Sequence, residues 1–531
     1  MALLEWASSL TPQQWAFTAV GAIALLHIVP YLWDANRMRK YPGPFLAKFS
    51  YLWLGYHSMM GHRSEVVHEM HRQYGSWVRL APNYLSIADP DALQIVYAHG
   101  NGTSKSDFYD AFVSIRRGVF NSRDRAEHTR KRKIISHIFS AKSVAEFEPS
   151  IRLHVMSLIE QWDKYTDMAK KGMSGKEGTG WFGKDNWLWF DCLPWFNFLA
   201  FDIIGDLAFG APFGMIETGA DAAPVPKGGV IDCKDETEIE HVPAVQIIND
   251  RGEFSMSLGV LPPSWRPIVR RLPWFSNGGM AVRRLAGIAI VAVNKRLKTP
   301  TDRVDLLQKL MQGKDDQGLP MGREELTAEA QTQLIAGSDT TSNTSCAIVY
   351  WLARYPEAQK KLQKELDDEL GVEDEIASTA EQVKRLTYLD AVINEAMRLH
   401  STSALGLPRL VPEDGIHVLG EFFPEGAVLG VPSYTIHRDP QIWGEDVEVY
   451  RPERWFEQDA VGIQKTFNPF SFGPRACVGK NLATLELQII ISSLLRRYEF
   501  VLQDPTKDLP TAEGFLRKPL DCHVMMRRRD A

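Results

Sequence analysis

The sequence predicts a mainly α-helical body with a small β part, preceded by one membrane-spanning helix. Apolar residues recur with helical periodicity through most of the 531 residues. Strand-like runs are short and few, and they lie at residues 77–80, 84–87 and 428–431. The third observation is an apolar segment at residues 15–33, which is about as long as a bilayer-spanning helix.

The composition excludes several classes of protein. Hydrophobic residues make up 44% of the chain and charged residues 24%, which is ordinary for a globular protein and rules out disordered, collagen-like and coiled-coil chains. The net charge of -6 gives no overall basic character for binding nucleic acid. Five cysteines, odd in number and widely spaced, favour a reducing compartment over a disulfide scaffold.

Aromatic side chains bracket the apolar segment at residues 15–33, and three basic residues follow it, Arg37, Arg39 and Lys40. By the positive-inside rule, the body that follows lies in the cytosol. A cleaved signal peptide is the alternative, but in such peptides the basic residues precede the apolar run. We therefore expect residues 1–40 to form an anchor and hinge in contact with membrane lipid, and residues 41–531 to form one domain.

The longest helix is predicted at residues 323–355, because this run contains no proline and Pro356 follows it. Its centre places Gly337 among small polar residues, which is poor helix sequence and indicates function or strain. Two stretches of low complexity, residues 169–186 and 219–243, are predicted to be exposed loops. Neither is long enough to separate independent domains.

Cys477 stands just before a predicted helix that begins at Lys480. The dipole and the free backbone N–H groups of a helix N-terminus favour the thiolate form of a cysteine. Gly473 and Gly479 permit close approach of the backbone to a flat ligand. Arg475 offers a cation two residues from the sulfur. This arrangement suits axial ligation of haem iron by Cys477, with Arg475 facing a haem propionate.

The same segment resembles the haem-binding signature of the cytochrome P450 family, F-x-x-G-x-R-x-C-x-G. All five fixed positions are present, at Phe470, Gly473, Arg475, Cys477 and Gly479. For a lone cysteine, a small buried thiol in a glycine-containing turn would be the default interpretation. The complete signature favours the haem ligand, and the other cysteines are expected to be ordinary reduced thiols, namely Cys192, Cys233, Cys346 and Cys522.

Two further segments resemble structural motifs of the family. Glu395 and Arg398, three residues apart in a helical run, match its E-x-x-R motif. Arg454 lies in a segment that resembles its P-E-R-F meander, with Trp455 in place of phenylalanine. The resemblance implies that Glu395, Arg398 and Arg454 form a triad that locks the region of the cysteine loop. Their role would be folding and haem retention.

The centre of the long helix, residues 336–341, matches the oxygen-helix motif of the family. By that resemblance Gly337 leaves room for oxygen and substrate, Thr340 hydrogen-bonds dioxygen and Asp339 helps to relay protons to it. A hydroxyl and a carboxylate at one point of an apolar pocket can pass protons in any case. Without the cysteine motif, a polar helix face with a glycine flaw would be the preferred interpretation.

A basic helical segment at residues 126–140 carries His128 and Arg132 on one face. By resemblance to the family's W-x-x-x-R motif this face meets the haem propionates, with His128 where tryptophan is usual. Arg409 resembles a further propionate contact. The remaining cations are expected to face solvent, where they could dock an acidic electron donor; they are Arg130, Lys131 and Lys133.

Resemblance to the family covers nearly the whole chain after residue 40. Several local runs look like fungal benzoate 4-monooxygenases, among them RDRAEHTRKRK at 123–133 and FDIIGDLAFGAPFGMIE at 201–217. The resemblance implies the cytochrome P450 fold, haem b with an axial thiolate, and para-hydroxylation of benzoate to 4-hydroxybenzoate. O2 would be the oxidant, with electrons from NADPH through NADPH-cytochrome P450 reductase. It also implies a single-pass protein of the endoplasmic reticulum membrane whose catalytic domain faces the cytosol.

Two alternatives stay open for the function: a hydroxylase of another small aromatic or phenolic compound, and a non-catalytic haem-thiolate protein that binds ligands. The family's topology assigns five segments to the substrate pocket: residues 105–120, 250–262, 401–407 and 514–516, and the helix before Ala336. Candidates to bind a substrate carboxylate are Tyr109, Arg116, Ser401, Thr402 and Ser403. Residues 265–275 mix aromatic and arginine side chains and are either a membrane-interface element or a packed connector.

Overall fold

The computed structural model describes residues 11–175, 180–227, 238–299, 305–315, 317–370, 376–457 and 460–529. Helices make up most of this part of the chain. The first half holds α1 (Pro12–Trp33), α2 (Leu52–Met59), α3 (Arg63–Tyr74), α4 (Pro90–Tyr97), α5 (Arg125–Ser136), α6 (Ala141–Ala145), α7 (Glu148–Lys170), α8 (Leu193–Phe209), α9 (Met215–Thr218), α10 (Ala244–Gly259), α11 (Arg266–Val269) and α12 (Ser276–Lys298). The second half holds α13 (Leu306–Gln312), α14 (Arg323–Arg354), α15 (Pro356–Glu369), α16 (Ala380–Val383), α17 (Thr387–Leu399), α18 (Ser433–Ile436), α19 (Pro440–Trp443), α20 (Arg454–Glu457), α21 (Ala460–Thr466) and α22 (Lys480–Arg497).

The strands are short, and two sheets contain most of them. Their bounds are β1 (Trp77–Ala81), β2 (Tyr84–Ile87), β3 (Ser104–Lys105), β4 (Trp181–Lys184), β5 (Trp187–Asp191), β6 (Ala223–Pro226), β7 (Ile239–Val242), β8 (Arg409–Leu410), β9 (Ile416–Val418), β10 (Glu421–Phe423), β11 (Val428–Gly430), β12 (Tyr498–Leu502), β13 (Thr511–Glu513), β14 (Arg517–Pro519) and β15 (His523–Arg528). One sheet has the order β1-β2-β11-β8-β3, and the other has the order β12-β15-β5-β4. The predicted class, mainly α with a small β part, is confirmed, and so are the three predicted strands.

The two low-complexity stretches are not simply loops, and this part of the prediction was wrong. Within residues 169–186, β4 pairs with β5 and extends the second sheet. Within residues 219–243, β6 and β7 form an antiparallel hairpin. These strands are short, and the stretches around them are rich in glycine, proline and charged residues. Composition alone therefore does not predict them. Residues 176–179 and 228–237, and Cys233 with them, lie outside the described part of the chain.

The long helix α14 is continuous through its unfavourable centre. Side-chain hydroxyls there donate to carbonyls one turn back, Ser338 Oγ to Leu334 O at 2.7 Å and Thr340 Oγ1 to Ala336 O at 2.7 Å. Small polar side chains that bond within the helix need no water. Helix α14 packs along α8 in the largest apolar cluster of the body. The prediction of one long helix across the domain is confirmed.

Helix α1 has no buried residue in contrast to α14. Thr11 and Gln14 form a capping box at its start, and Asp34 ends it in a left-handed conformation. In the described part of the chain it is the one helix long and apolar enough to cross a membrane. An apolar helix that packs so little against its own body fits a membrane anchor.

Candidate active site

The loop that carries Cys477 is closed by its own backbone. The Cys477 N–H donates to Phe470 O at 2.8 Å, so the ends of the signature lie together. Gly473 has φ 69°, and a Cβ there would lie 1.8 Å from the carbonyl oxygen of Tyr97, so only glycine fits. At Gly479 a Cβ would meet only the Cys477 sulfur, at 3.9 Å. The protein's own packing therefore does not require a glycine at position 479. The missing side chain instead leaves space for a flat ligand beside the sulfur.

The Cys477 side chain has accessible surface, although protein atoms surround it on most sides, and it therefore faces an internal cleft. Burial raises the pKa of its thiol. The backbone N–H groups of Gly479 and Lys480 and the charge of Arg132 act in the opposite direction. Helix α22 begins at Lys480, as predicted, so its N-terminus points its free donors at the sulfur. These groups suit a sulfur that must carry negative charge as an iron ligand.

Three arginines that were predicted to face the haem converge near this loop. Arg132 Nη1 donates to Ala476 O at 2.8 Å, and Arg475 Nη1 donates to Ser122 O at 2.6 Å. Arg409 Nη1 donates to the Tyr109 hydroxyl at 3.1 Å, while its buried Nη2 has no hydrogen-bond partner. Within the described residues no carboxylate pairs with any of the three. Arg409 is buried, whereas Arg132 and Arg475 are half-buried. A buried cation without a counter-ion is costly, so this group suits an anion.

Two further basic side chains belong to the same group. His128 is buried, and burial, followed by the charge of Arg475, lowers its pKa to about 3. Burial also lowers the pKa of Lys105, and Arg409, Arg475 and Arg132 lower it further. Lys105 was missed from the sequence because no motif marks it; it lies opposite Arg409 in the register of β3 and β8. The arginines of this group, near the Cys477 sulfur, suit haem, whose two propionates are anionic.

The centre of α14 keeps some accessible surface in an otherwise buried helix. Most of this helix is buried, yet Ala336 is exposed and Thr340 is half-buried. Burial raises the pKa of Asp339, which accepts a hydrogen bond from Asn343 Nδ2 at 3.4 Å. At Gly337 a Cβ would lie 2.7 Å from Ile204 Cδ1, so close packing against α8 is one reason for this glycine. Its role in leaving room for oxygen stays a prediction.

The predicted triad forms a fully buried ion-pair centre. Glu395 Oε1 accepts from Arg398 Nη2 at 2.8 Å and from Arg454 Nε at 3.0 Å, and all three side chains are 0% exposed. Trp455 Nε1 donates to Glu395 Oε2 at 3.1 Å. The tryptophan that replaces the family's phenylalanine thus adds a donor that phenylalanine lacks. Arg398 also donates to the carbonyl of His437 at 2.9 Å, which ties the centre to the chain before the cysteine loop.

The prediction that Arg130, Lys131 and Lys133 of α5 all face solvent was wrong. Lys131 is buried and pairs with Glu325, and it lies 3.7 Å from Glu329. Arg130 is half-buried and pairs with Glu127 at 2.9 Å and with Glu325. Only Lys133 of the three is exposed. Arg130 and Lys131 attach α5 to the start of α14, because the face of α5 that carries them packs against that helix.

Three of the predicted pocket segments, residues 105–120, 250–262 and 514–516, come together around an aromatic cluster. Phe112, Phe120 and Phe515 lie with ring centroids 4.9 to 5.8 Å apart, and Phe108 packs on Phe112 at 5.2 Å. The end of α10 approaches this cluster, since a Cβ at Gly259 would lie 2.8 Å from the Phe108 ring. Such walls suit the ring of a small aromatic ligand.

Most of the predicted carboxylate-binding candidates already have partners. Arg116 is 60% exposed and lies 3.9 Å from Glu324, so it is a surface residue. Tyr109 accepts from Arg409, and Ser401 Oγ is bonded to Met397 O at 3.0 Å and lies 2.6 Å from His437 Nδ1. The Thr402 and Thr344 hydroxyl oxygens are 3.3 Å apart. Among the residues that the structure describes, none is a polar partner of the Ser403 side chain.

Three of the remaining cysteines form a cluster that the sequence did not reveal. The sulfurs of Cys192, Cys346 and Cys522 all lie within 4.8 Å of one another in the apolar core. The three residues are free thiols, as predicted, and Cys477 is not among them. They come from the start of α8, the second half of α14 and the chain before β15, and the sequence gives no sign that these sites meet.

Residues 265–275 form the short helix α11 and a turn of 3-10 helix at Pro273–Phe275. Ile268 is 69% exposed, and the Trp265 ring lies 5.9 Å from the His27 ring of α1. Arg266 is bonded inward, to Leu261 O, Asp107 O and Gly259 O, each at 2.9 Å. The segment therefore combines a packed connector with an apolar tip beside the apolar helix.

Comparison with known proteins agrees with this geometry. The family described as Cytochrome P450 matches residues 40–526. Benzoate 4-monooxygenase bphA of Aspergillus niger is 48% identical over 523 residues, which cover 97% of each chain. Cytochrome P450 monooxygenase ORF11 of Penicillium roqueforti is 31% identical over 523 residues, covering 95% of this chain and 98% of that protein.

Proposed function

The chain belongs to the cytochrome P450 family, and from that premise we propose that this haem-thiolate monooxygenase hydroxylates benzoate at the para position to give 4-hydroxybenzoate. The observation that carries the proposal is the 48% identity, over 97% of both chains, to a protein named benzoate 4-monooxygenase. The aromatic cluster of Phe108, Phe112, Phe120 and Phe515 supports it, because a benzoate ring needs an apolar slot.

Members of the family use O2 and a redox partner. For this chain the partner is proposed to be NADPH-cytochrome P450 reductase. Residues 1–40 are proposed to anchor the protein in the endoplasmic reticulum membrane, with residues 41–531 as one haem domain on the cytosolic side. The exposed apolar helix α1 and the three basic residues that follow it support this orientation.

Cys477 is proposed as the axial ligand of haem b, and the haem supplies oxygen activation when it is bound. Phe470 and Gly473 shape the loop, and Gly479 leaves the approach beside the sulfur open. The propionates would be held by four residues, His128, Arg132, Arg409 and Arg475. The unpartnered Nη2 of Arg409 supports this assignment most directly, since it is a buried donor with nothing to bind in the protein itself.

Asp339 and Thr340 are proposed to move protons at the oxygen side of the site. The Thr340 hydroxyl is directed to Ala336 O and would have to turn by one rotamer to donate elsewhere. Asp339 has its pKa raised by burial, which keeps a carboxyl proton available nearer to neutral pH. Gly337 is proposed to lie beside the same space.

The test uses the full-length protein in membranes with the reductase, NADPH, O2 and benzoate. We expect 4-hydroxybenzoate as product, none with Cys477→Ser, and a loss of about 10-fold or more in product per NADPH with Thr340→Ala. Product from neutral phenols but not from benzoate would indicate the alternative substrate class. A normal thiolate-type reduced-CO spectrum without product from any aromatic compound would indicate a ligand-binding protein.

A further inference from the structure

A small cavity of about 100 Å³ lies between α2, α3, β2, the segment after β3 and the end of α10. Its wall is partly apolar, with contributions from Leu54, Phe108 and Val260, and it contains one buried cation, Arg63. Two of the predicted substrate segments, residues 105–120 and 250–262, line it. Phe108 and Pro408 in its wall are the chain neighbours of Tyr109 and Arg409, which are hydrogen-bonded to each other at 3.1 Å.

Arg63 is only 2% exposed but has weak polar partners. Its Nη2 donates to the Tyr84 hydroxyl at 3.4 Å, and its Nη1 lies 3.7 Å from the sulfur of Met256. Tyr84 is neutral and donates its own proton to Gly406 O at 2.7 Å. No described carboxylate lies within ion-pair distance of Arg63. An arginine keeps its charge in a protein, so this buried guanidinium is charged, and none of the described carboxylates is paired with it directly.

The acidic side chains of this region are engaged elsewhere. Glu513 accepts from Ser64 N at 2.6 Å and Ser64 Oγ at 2.5 Å, and thus caps the start of α3. Burial raises the pKa of Glu513, while the hydrogen bonds from Ser64 and the charges of Arg63 and Arg517 act in the opposite direction. Asp107, in the cavity wall, lies 3.5 Å from Arg266. Neither carboxylate makes a direct contact with the Arg63 fork.

The chemistry of the cavity fits a small aromatic anion. A planar guanidinium presents paired N–H donors that match the two oxygens of a carboxylate. Apolar walls beside it exclude water and would strengthen such a contact. Inorganic anions would gain nothing from these walls, whereas the ring of an aromatic acid would bury apolar surface on them.

We propose that Arg63 is the binding residue for the carboxylate of the aromatic acid substrate. This inference rests on the proposed function and adds to it the residue that selects an acid over a neutral aromatic compound. The residue was absent from the five candidates taken from the sequence, because helical position and composition do not show that Arg63 lacks a counter-ion.

The experiment is a spin-state titration of the haem-loaded, full-length protein with sodium benzoate. A parallel titration uses 4-phenylimidazole, a neutral aromatic ligand of haem iron. The variants are Arg63→Met, Arg63→Lys and the matched control Arg72→Met, which removes an exposed arginine of the same helix. We expect Arg63→Met to weaken benzoate binding about 10- to 100-fold and leave 4-phenylimidazole binding within about 3-fold. Arg63→Lys should fall in between, and Arg72→Met should match the wild type.

Benzoate affinity of Arg63→Met within about 3-fold of the wild type, with benzoate still hydroxylated, would overturn the inference and leave the proposed function standing. A wild-type protein that neither binds nor hydroxylates benzoate would overturn both. If Arg63→Met fails to hold haem, Arg63→Lys decides the question. It keeps the charge but loses the fork, so unchanged benzoate binding in that variant would also contradict the carboxylate contact.

Discussion

Two groups of buried arginines differ in how their charge is balanced. Arg398 and Arg454 are 0% exposed and share the carboxylate of Glu395. Arg409 and Arg63 are each 2% exposed and have no carboxylate partner among the described residues. A charge that is cancelled inside the protein holds chain segments together. A buried charge that is not cancelled marks a place where an anion from outside completes the structure.

The paired group should give the largest effect on folding. Arg454→Ala would leave Glu395 with one cation fewer and would remove the Arg454 donor from the carbonyl of Trp443 and from a carboxylate oxygen of Asp446. We expect a loss of about 3–5 kcal/mol in the free energy of unfolding, measured by urea denaturation, and a low yield of haem-loaded protein. The control is Arg451→Ala, which removes a partly exposed arginine three residues earlier and should cost about 0–1 kcal/mol.

If both variants cost the same, the buried centre would have no special part in stability. The paired arginines would then contribute no more to the free energy of unfolding than a partly exposed arginine does.

How much of this could be predicted from the sequence depends on where the information lies. Cys477 and its signature, and the Glu395, Arg398 and Arg454 motifs, occupy short runs with fixed spacing, so the residues themselves indicated them. Lys105 could not be predicted, because its place beside Arg409 depends on the register of β3 and β8. Lys131 was assigned to solvent for the same reason: its burial depends on the packing of α5 against α14.

The three-cysteine cluster and the Arg63 cavity depend on contacts between residues more than a hundred positions apart. No local rule for spacing or propensity contains such contacts. The sequence therefore predicted the fold class and the buried triad of Glu395, Arg398 and Arg454. The haem and substrate contacts stay predictions, and Arg63 was not among them.

Glu486 is a buried acidic residue that, like Arg63 and Arg409, has no oppositely charged partner among the described residues. It is 2% exposed and bonded to the Thr341 hydroxyl at 2.8 Å, and burial raises its pKa to about 7. A carboxylate can take up a proton where arginine cannot lose one. Its folded-state pKa lies above the ordinary glutamate value of 4.5, so the folded protein binds more protons than the unfolded chain between about pH 4.5 and 7. The stability it contributes is therefore lost as pH rises through this window.

Glu486→Gln should remove that part of the pH dependence. Relative to pH 5, the variant should lose less unfolding free energy at pH 8 than the wild type, by up to about 3 kcal/mol. Urea denaturation at several pH values measures this difference. Glu369→Gln, an exposed site at the end of α15, is the matched control and should follow the wild type. Parallel pH profiles for Glu486→Gln and wild type would mean that Glu486 stays ionised when buried.

Arg409→Met tests the arginines without a carboxylate partner, through the direction in which it changes the free energy of unfolding. Removing a buried cation that lacks a counter-ion should not destabilise the haem-free protein, in contrast to Arg454→Ala. It should weaken haem retention, with transfer of haem to an acceptor apoprotein faster by about 10-fold, because one charge-assisted contact to a propionate is lost. Arg125→Met, on the exposed start of α5, should change neither quantity. The idea would be contradicted if haem-free Arg409→Met were as unstable as Arg454→Ala. The charge of Arg409 would then be compensated within the protein, and its unpartnered Nη2 would give no support to a haem contact. Unchanged haem transfer would instead place the propionates on His128, Arg132 and Arg475.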